Sequence, residues 1–333
     1  MPGRGGGLTP ATLRGDSAKL PPMNAIGIPG IWPALLTPMT ASLAIDGDSY
    51  AAHARKLIAA GCGGVTPLGT TGEVPSFSLD ERRAALDALV AGGVPASRIL
   101  VSTSAAALPD VIALTRHAQD IGAWGVLQMP PFFFKGVSDA GVLATFRQVL
   151  DATADRPLRM VLYHLPQLSG VGLSVPVIAE LLDAYPQRIV AIKDSAGQRA
   201  HSLALADAFM QADAPRLRVH VGHEPDLPHL CRRGSGGAVS GLANFMPQAV
   251  RRLALEGDTP AAQRDLQNVE QLLAALGPYA LIPALKAIQA QRSGDAAWLR
   301  VRPPLVALDA AQQRILADAL GALTALYLEP DAP

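Results

Sequence analysis

The 333-residue chain reads as an α/β protein, a (β/α)8 barrel followed by a C-terminal helical extension. Three observations lead there. Short apolar runs of strand length alternate with segments of helical periodicity over about 220 residues, and such alternation builds a parallel sheet joined by crossover helices. Eight such units within about 250 residues suit a closed barrel. A doubly wound open sheet is the competitor, but no Gly-x-Gly-x-x-Gly follows the first strand, which counts against its dinucleotide-binding version.

The elements follow in order. Residues 1–24 carry Gly, Pro, Arg and Thr without apolar periodicity and are expected to form a disordered leader, with Met23 as a candidate start. The barrel is expected over 25–246. Strands are predicted at 31–36, 63–68, 99–103, 124–129, 159–165, 189–193, 217–221 and 237–240, each a short apolar run closed by Gly, Pro or polar residues. Between them, helical spacing marks 48–60, a helix starting at Ser78, then 109–121, 138–152, 174–184, 199–210 and 226–232. Ser78 with Glu81 three residues on has the pattern of a capping box. Beyond Pro247 the strands stop. Residues 260–276, 279–291 and 310–327 read as helices, so 247–333 is expected to be a helical region packed on the barrel, with Arg302-Pro303-Pro304 a rigid turn before the last helix.

The totals bound the function. The chain is 49% hydrophobic and 17% charged, enough for one large core or two ordinary ones, and its formal net charge is zero, so no global field attracts nucleic acid or an anionic membrane. Cys62 and Cys231 are far apart and in no metal-ligand spacing, which favours a reduced, cytoplasmic setting. No apolar run reaches membrane-spanning length. His53, His117 and His220 stand singly, and no metal site is expected.

The chemistry is expected where a barrel gathers it, at the C-terminal ends of the strands. The run Ile189-Val190-Ala191-Ile192 leads straight into Lys193. Lysine is costly to bury, but burial favours the neutral amine, and a neutral amine can attack a ketone to form a Schiff base. The bland alternative is a lysine that keeps its head in water at a strand end. Tyr163 falls on the neighbouring strand, where a phenol can carry protons to and from a substrate. The turn Gly69-Thr70-Thr71-Gly72 offers hydroxyls and backbone N–H groups suited to a carboxylate, although helix-capping threonines read the same way. Glu73, Ser104, Gly222, His223, Glu224 and Ser240 complete the polar positions or turns at strand ends. Phe132-Phe133-Phe134 reads as core, a wall over the site or a subunit contact. Asp80-Glu81-Arg82-Arg83 reads as a solvated helix face, and Lys135 as solvated.

Three of these segments, Gly69-Thr70-Thr71-Gly72-Glu73, Tyr163-His164-Leu165-Pro166 and Ile192-Lys193-Asp194-Ser195, occur in an order and spacing that resembles the dihydrodipicolinate synthase / N-acetylneuraminate lyase family of class I aldolases. The likeness runs from about Gly30 to the C-terminus. It implies a barrel with C-terminal helices, a homotetramer, and a covalent lysine imine with pyruvate or a related 2-oxo acid, with no separate cofactor. By position it implies that Lys193 forms the imine, that Tyr163 transfers protons, that Thr70 relays them, and that Thr71 with the neighbouring backbone holds the carboxylate.

Departures from the pattern narrow the reading. Dihydrodipicolinate synthases carry an arginine where this chain has Leu168, and take a second tyrosine from a neighbouring subunit where this chain has Phe133. Loss of a cationic fork and a phenol disfavours a dicarboxylic co-substrate. Leu168-Ser169-Gly170-Val171 resembles N-acetylneuraminate lyases, but His223-Glu224-Pro225-Asp226 matches their sugar-binding acids only in part. Ile282-Pro283-Ala284-Leu285-Lys286 and Arg302-Pro303-Pro304-Leu305 resemble 4-hydroxy-2-oxoglutarate aldolases. The expected function is a lyase that cleaves a 4-hydroxy-2-oxo acid to pyruvate and an aldehyde. 4-Hydroxy-tetrahydrodipicolinate synthase or a 2-oxo acid dehydratase is the enzyme alternative, and a non-catalytic 2-oxo acid binder the alternative of another class.

Overall fold

The computed structural model describes residues 26–211 and 215–323. The leader expected at 1–24 and the end of the expected final helix lie outside them. Among the described residues seven strands carry ladders: β1 (Gly30–Pro33), β2 (Leu100–Ser102), β3 (Gly125–Gln128), β4 (Met160–His164), β5 (Ile189–Asp194), β6 (Arg218–Val221) and β7 (Gly237–Ser240). Every ladder is parallel; β2 to β6 pair in chain order, and β1 pairs with β7. The strand expected at 63–68 is reduced to single bridges, Thr66 to Ala34 on one side and Val65 to Ile99 on the other. The cause is local. A side chain on Gly64 would stand 2.4 Å from Trp32, so the bare backbone packs on the indole, and Leu68 turns into the left-handed region at φ 53°. This segment still joins β1 to β2 by backbone hydrogen bonds, Thr66 N–H to Pro33 O at 2.8 Å and Leu100 N–H to Val65 O at 2.9 Å.

The other seam lies between β6 and β7, which share no ladder. His220 stitches it. Its Nε2 accepts the Ile28 N–H and its Nδ1 lies on Gly237 O, each at 2.9 Å. That arrangement needs a neutral ring with the proton on Nδ1, and burial accordingly pushes the His220 pKa down to about 4.

Helices α1 (Gly47–Ala59), α2 (Leu79–Ala91), α3 (Leu108–Asp120), α4 (Asp139–Ala152), the single turn α5 (Pro166–Ser169), α6 (Val175–Ala184), α7 (Arg199–Phe209) and α8 (Leu227–Cys231) alternate with the strands. Asp46, Ser138 and Ser174 cap three of them through N3 N–H groups, and Ser78 with Glu81 closes the capping box on α2. The extension is α9 (Pro247–Leu255), α10 (Pro260–Leu276), α11 (Leu281–Ser293) and α12 (Ala310–Leu320).

Strand periodicity sorts the core into two shells. Trp32, Leu100, Trp124, Leu127, Val161, Tyr163 and Val239 fill one, with the Trp32 and Trp124 rings 5.2 Å apart. The alternate residues, such as Leu162 and Ile192, pack with the helices in the other. No single helix among the described residues is long and apolar enough to cross a membrane.

Candidate active site

The β4–β5 register sets Tyr163 directly beside Lys193. Period-2 alternation then turns their followers, His164 and Asp194, to the opposite face. Lys193 is only 6% exposed, and its Nζ lies 4.4 Å from the centre of the Tyr163 ring. The Tyr163 hydroxyl meets the Thr70 hydroxyl at 3.3 Å. Two residues far apart in sequence thus share one end of the barrel with the turn that follows the bridging segment.

That turn is closed by its own backbone. Gly69 O accepts from Gly72 N–H at 3.0 Å and from Val74 N–H at 3.2 Å, and Gly72 O accepts from the Thr37 hydroxyl at 2.8 Å. Thr71 faces the end of β7: a side chain on Gly241 would sit 3.4 Å from its hydroxyl oxygen. Gly222 closes the other side. A Cβ there would lie 2.9 Å from Lys193 Cε and 2.2 Å from Ser195 Oγ.

Glu224 and Ser240 are joined to each other. The Ser240 hydroxyl donates to Glu224 Oε1 at 2.6 Å, and the same oxygen accepts from Leu242 N–H at 3.3 Å. The buried carboxylate therefore ties the loop after β6 to the end of β7. His223, beside it, is held by Asp226 at 2.9 Å, which raises the imidazole pKa.

A cleft of about 380 Å³ opens from Thr70 and runs along Val74, Phe77, Met129, Phe132, Leu168 and Ser169 to Arg82 and Asp110. Lys193 is not on its wall and lies against the Tyr163 ring. Leu168 stands on the cleft wall, 63% exposed. Phe133 does not: it is 72% exposed, turned edge-on to Phe134 at 5.4 Å, and of this run it is Phe132 that lines the cleft. The bend at 133–134 points both later rings outward.

One expectation needs correction. Arg82 is no solvated helix residue. It is buried and donates to Ser102 O at 2.8 Å and Ser104 O at 3.0 Å, and burial lowers its pKa to about 10. A signal for this was present, since Arg82 shares the buried face of α2 with Ala85, Leu86 and Leu89 at helical spacing. Lys135, though exposed, donates to Ser169 O at 2.7 Å and ties the Phe loop to α5.

Sequence reasoning also missed a cluster on the reverse face of the two key strands. His164, Asp194 and His201 bring potential ligand atoms within 4.8 Å of one another. Each of the three residues also hydrogen-bonds within the protein. His164 Nδ1 accepts from Leu173 N–H at 3.0 Å, and Asp194 accepts from Ser202 Oγ at 2.7 Å and from Ala196 N–H at 3.0 Å, with His201 Nδ1 at 2.9 Å. The two rings stack at 4.5 Å, and burial lowers the His164 pKa. The cluster fastens the strands that carry Tyr163 and Lys193.

Residues 28–323 match the profile of the dihydrodipicolinate synthetase family. The chain belongs to that family. A DapA-like lyase of Chloroflexus aurantiacus, itself uncharacterized, is 36% identical over 302 residues, 86% of this chain and 97% of the relative. Among solved structures, dihydrodipicolinate synthase from Agrobacterium tumefaciens is 34% identical, covers 88% of this chain and 99% of its own, and superposes with a TM-score of 0.82. YagE of Escherichia coli, a prophage protein of the same family solved in complex with pyruvate, is 28% identical with a TM-score of 0.79, covering 89% of this chain and 98% of its own. This family member is a TIM-barrel enzyme, a class I lyase of the lysine Schiff-base type.

Proposed function

We propose that this lyase cleaves, or forms, the C3–C4 bond of a 4-hydroxy-2-oxo acid, with pyruvate and an uncharged, hydroxyl-poor aldehyde as the two halves. The observation that carries the reading is the β4–β5 register, which sets the Tyr163 phenol between the Lys193 amine and the Thr70 hydroxyl.

The steps follow from those groups. The Lys193 amine adds to the C2 carbonyl, and loss of water leaves an iminium. Tyr163 takes the proton of the C4 hydroxyl, with Thr70 relaying it. The C3–C4 bond breaks, its electron pair passes to the iminium nitrogen as an enamine forms, and the aldehyde leaves. Protonation at C3 and hydrolysis return pyruvate and the free lysine. The iminium is the electron sink, so the scheme requires no further cofactor. Thr71, Gly69 and Gly72 supply the turn that takes the substrate carboxylate, and Gly222 keeps the lysine's path clear.

The cleft supports the choice of aldehyde. Its polar lining is largely committed within the protein. Arg82 serves two carbonyls, Ser104 Oγ accepts Met129 N–H at 2.9 Å, and Ser169 Oγ donates to Leu165 O at 3.0 Å. Leu168 offers no cation for a second carboxylate. Groups already bonded give little to a polyol, whereas Val74, Phe77, Met129 and Phe132 gain from covering apolar surface. For its setting we propose the cytoplasm, with two free cysteines and the buried Cys62 thiol pushed up to about 12. The exposed Phe133 and Phe134 suit a contact with another copy, in keeping with a homotetramer.

Incubation with pyruvate and borohydride, read by intact mass, tests the imine. Lys193→Ala should lose the adduct, and Tyr163→Phe should keep it while kcat falls about 10²–10⁴-fold. A panel of 4-hydroxy-2-oxo acids with alkyl or aryl, polyhydroxy and carboxylate substituents then tests the aldehyde half through pyruvate release. An adduct without turnover of any member would favour a binder. Faster turnover of the carboxylate or polyhydroxy members would sink the apolar reading and leave the imine standing.

A further inference from the structure

Lys286 of α11 is wholly buried and takes no part in the imine chemistry. It forms an ion pair with Glu73 Oε1, and neither side chain reaches solvent. The same ammonium donates to Arg300 O at 2.6 Å, while Arg302 N–H donates to Glu73 Oε2 at 3.2 Å. Glu73 is the residue that ends the 69–72 turn. Its N–H bonds Thr70 O at 3.1 Å, and its backbone sits at φ 60°, a conformation a residue with a Cβ adopts only when its surroundings hold it there. The helix that delivers Lys286 reaches the turn by a second route as well: Leu285 lies beside Gly241, which faces Thr71.

A buried ion pair is weak support for stability, since an apolar pair of similar volume often serves as well. Burial also works against the ammonium, whose pKa it lowers despite the pull of Glu73. Fixing geometry and cancelling a charge are different matters. Glu73 places a buried carboxylate two residues from Thr71, in the turn read as taking the carboxylate of a 2-oxo acid. A buried carboxylate in the turn that takes an anion repels that anion unless it is neutralised.

We propose that Lys286 is a positioning residue for the 2-oxo acid: through Glu73 it holds the 69–72 turn in its binding conformation and cancels the charge that would oppose the substrate carboxylate. The extension thereby acts on pyruvate affinity from outside the barrel. The inference rests on the carboxylate role given to that turn under the proposed function.

The test is the pyruvate concentration that half-saturates borohydride trapping on Lys193 in the full chain, with a thermal melt as control for folding. Lys286→Met should raise that concentration about tenfold or more while the maximal extent of trapping at high pyruvate is kept. Lys286→Gln combined with Glu73→Gln restores an uncharged, hydrogen-bonded pair and should return to within about threefold of the parent. A folded Lys286→Met with the parent's half-saturation, or a double variant as weak as Lys286→Met, overturns the proposal. Should Lys286→Met fail to fold, the double variant decides alone: within threefold supports it, a tenfold loss overturns it. Absence of any adduct in the parent protein is a different result and would strike the imine reading itself.

Discussion

Gly222 shows how tightly the reacting lysine is housed. Its N–H bonds Asp194 O at 2.9 Å, and any Cβ would press on Lys193 Cε at 2.9 Å and on the Ser195 hydroxyl. The serine can rotate away, but the lysine stem lies between Gly222 and the Tyr163 ring. Gly222→Ala should therefore slow imine trapping about tenfold to a hundredfold with little change in melting temperature. Trapping at the parent rate would show that the stem moves aside at no cost. At the same scale, Thr70 is distinguished from Thr71 by contact: its hydroxyl is the one on the phenol.

Among the elements, β6 carries a burden that its length hides. It pairs with β5 on one side, but toward β7 it depends on His220 and on the Ser235 hydroxyl, which donates to Val219 O at 2.8 Å. The folded pKa of about 4 lies below the ordinary 6.5, so between those values the unfolded chain binds the extra proton. Stability from this group is complete above pH 6.5 and is lost as pH falls toward 4, flattening below. Urea unfolding at pH 7 and pH 5 should differ by about 2 kcal/mol from this site. His220→Gln, which can both donate and accept, should flatten that part of the slope; an unchanged slope would move the titration elsewhere.

Across the whole molecule, the extension and the cleft are one construction. Arg302 donates to Leu43 O at 2.9 Å and Ser76 O at 2.8 Å, binds the Glu81 carboxylate, and lies 4.5 Å from the Phe77 ring. Phe77 lines the cleft, so the wall that meets the aldehyde half is fastened from the segment after α11. The guanidinium also holds the Glu81 pKa down to about 2. Arg302→Ala leaves two carbonyls without their donor and should cost about 2 kcal/mol in unfolding free energy. It should also raise KM for the aldehyde-bearing substrate more than the pyruvate half-saturation. Equal changes in both would mean that Arg302 supports the molecule without shaping the cleft.

The sequence by itself determined the alternation of strands and helices and the capping box on α2, and it put Lys193, Tyr163 and Thr70 at strand ends as candidates, their roles resting on the family resemblance. Local periodicity and turn chemistry encode these, and both are written in neighbouring residues. Only the tertiary structure decided that Lys193 lies against the Tyr163 ring, that 65–66 pairs by single bridges, that Phe132 and not Phe133 lines the cleft, and that Glu73 meets Lys286. Each depends on barrel register and on the packing of segments far apart in the chain. A buried charge such as Arg82 or Lys286 looks like a surface charge until its partner is in place, because burial is a property of the assembled fold.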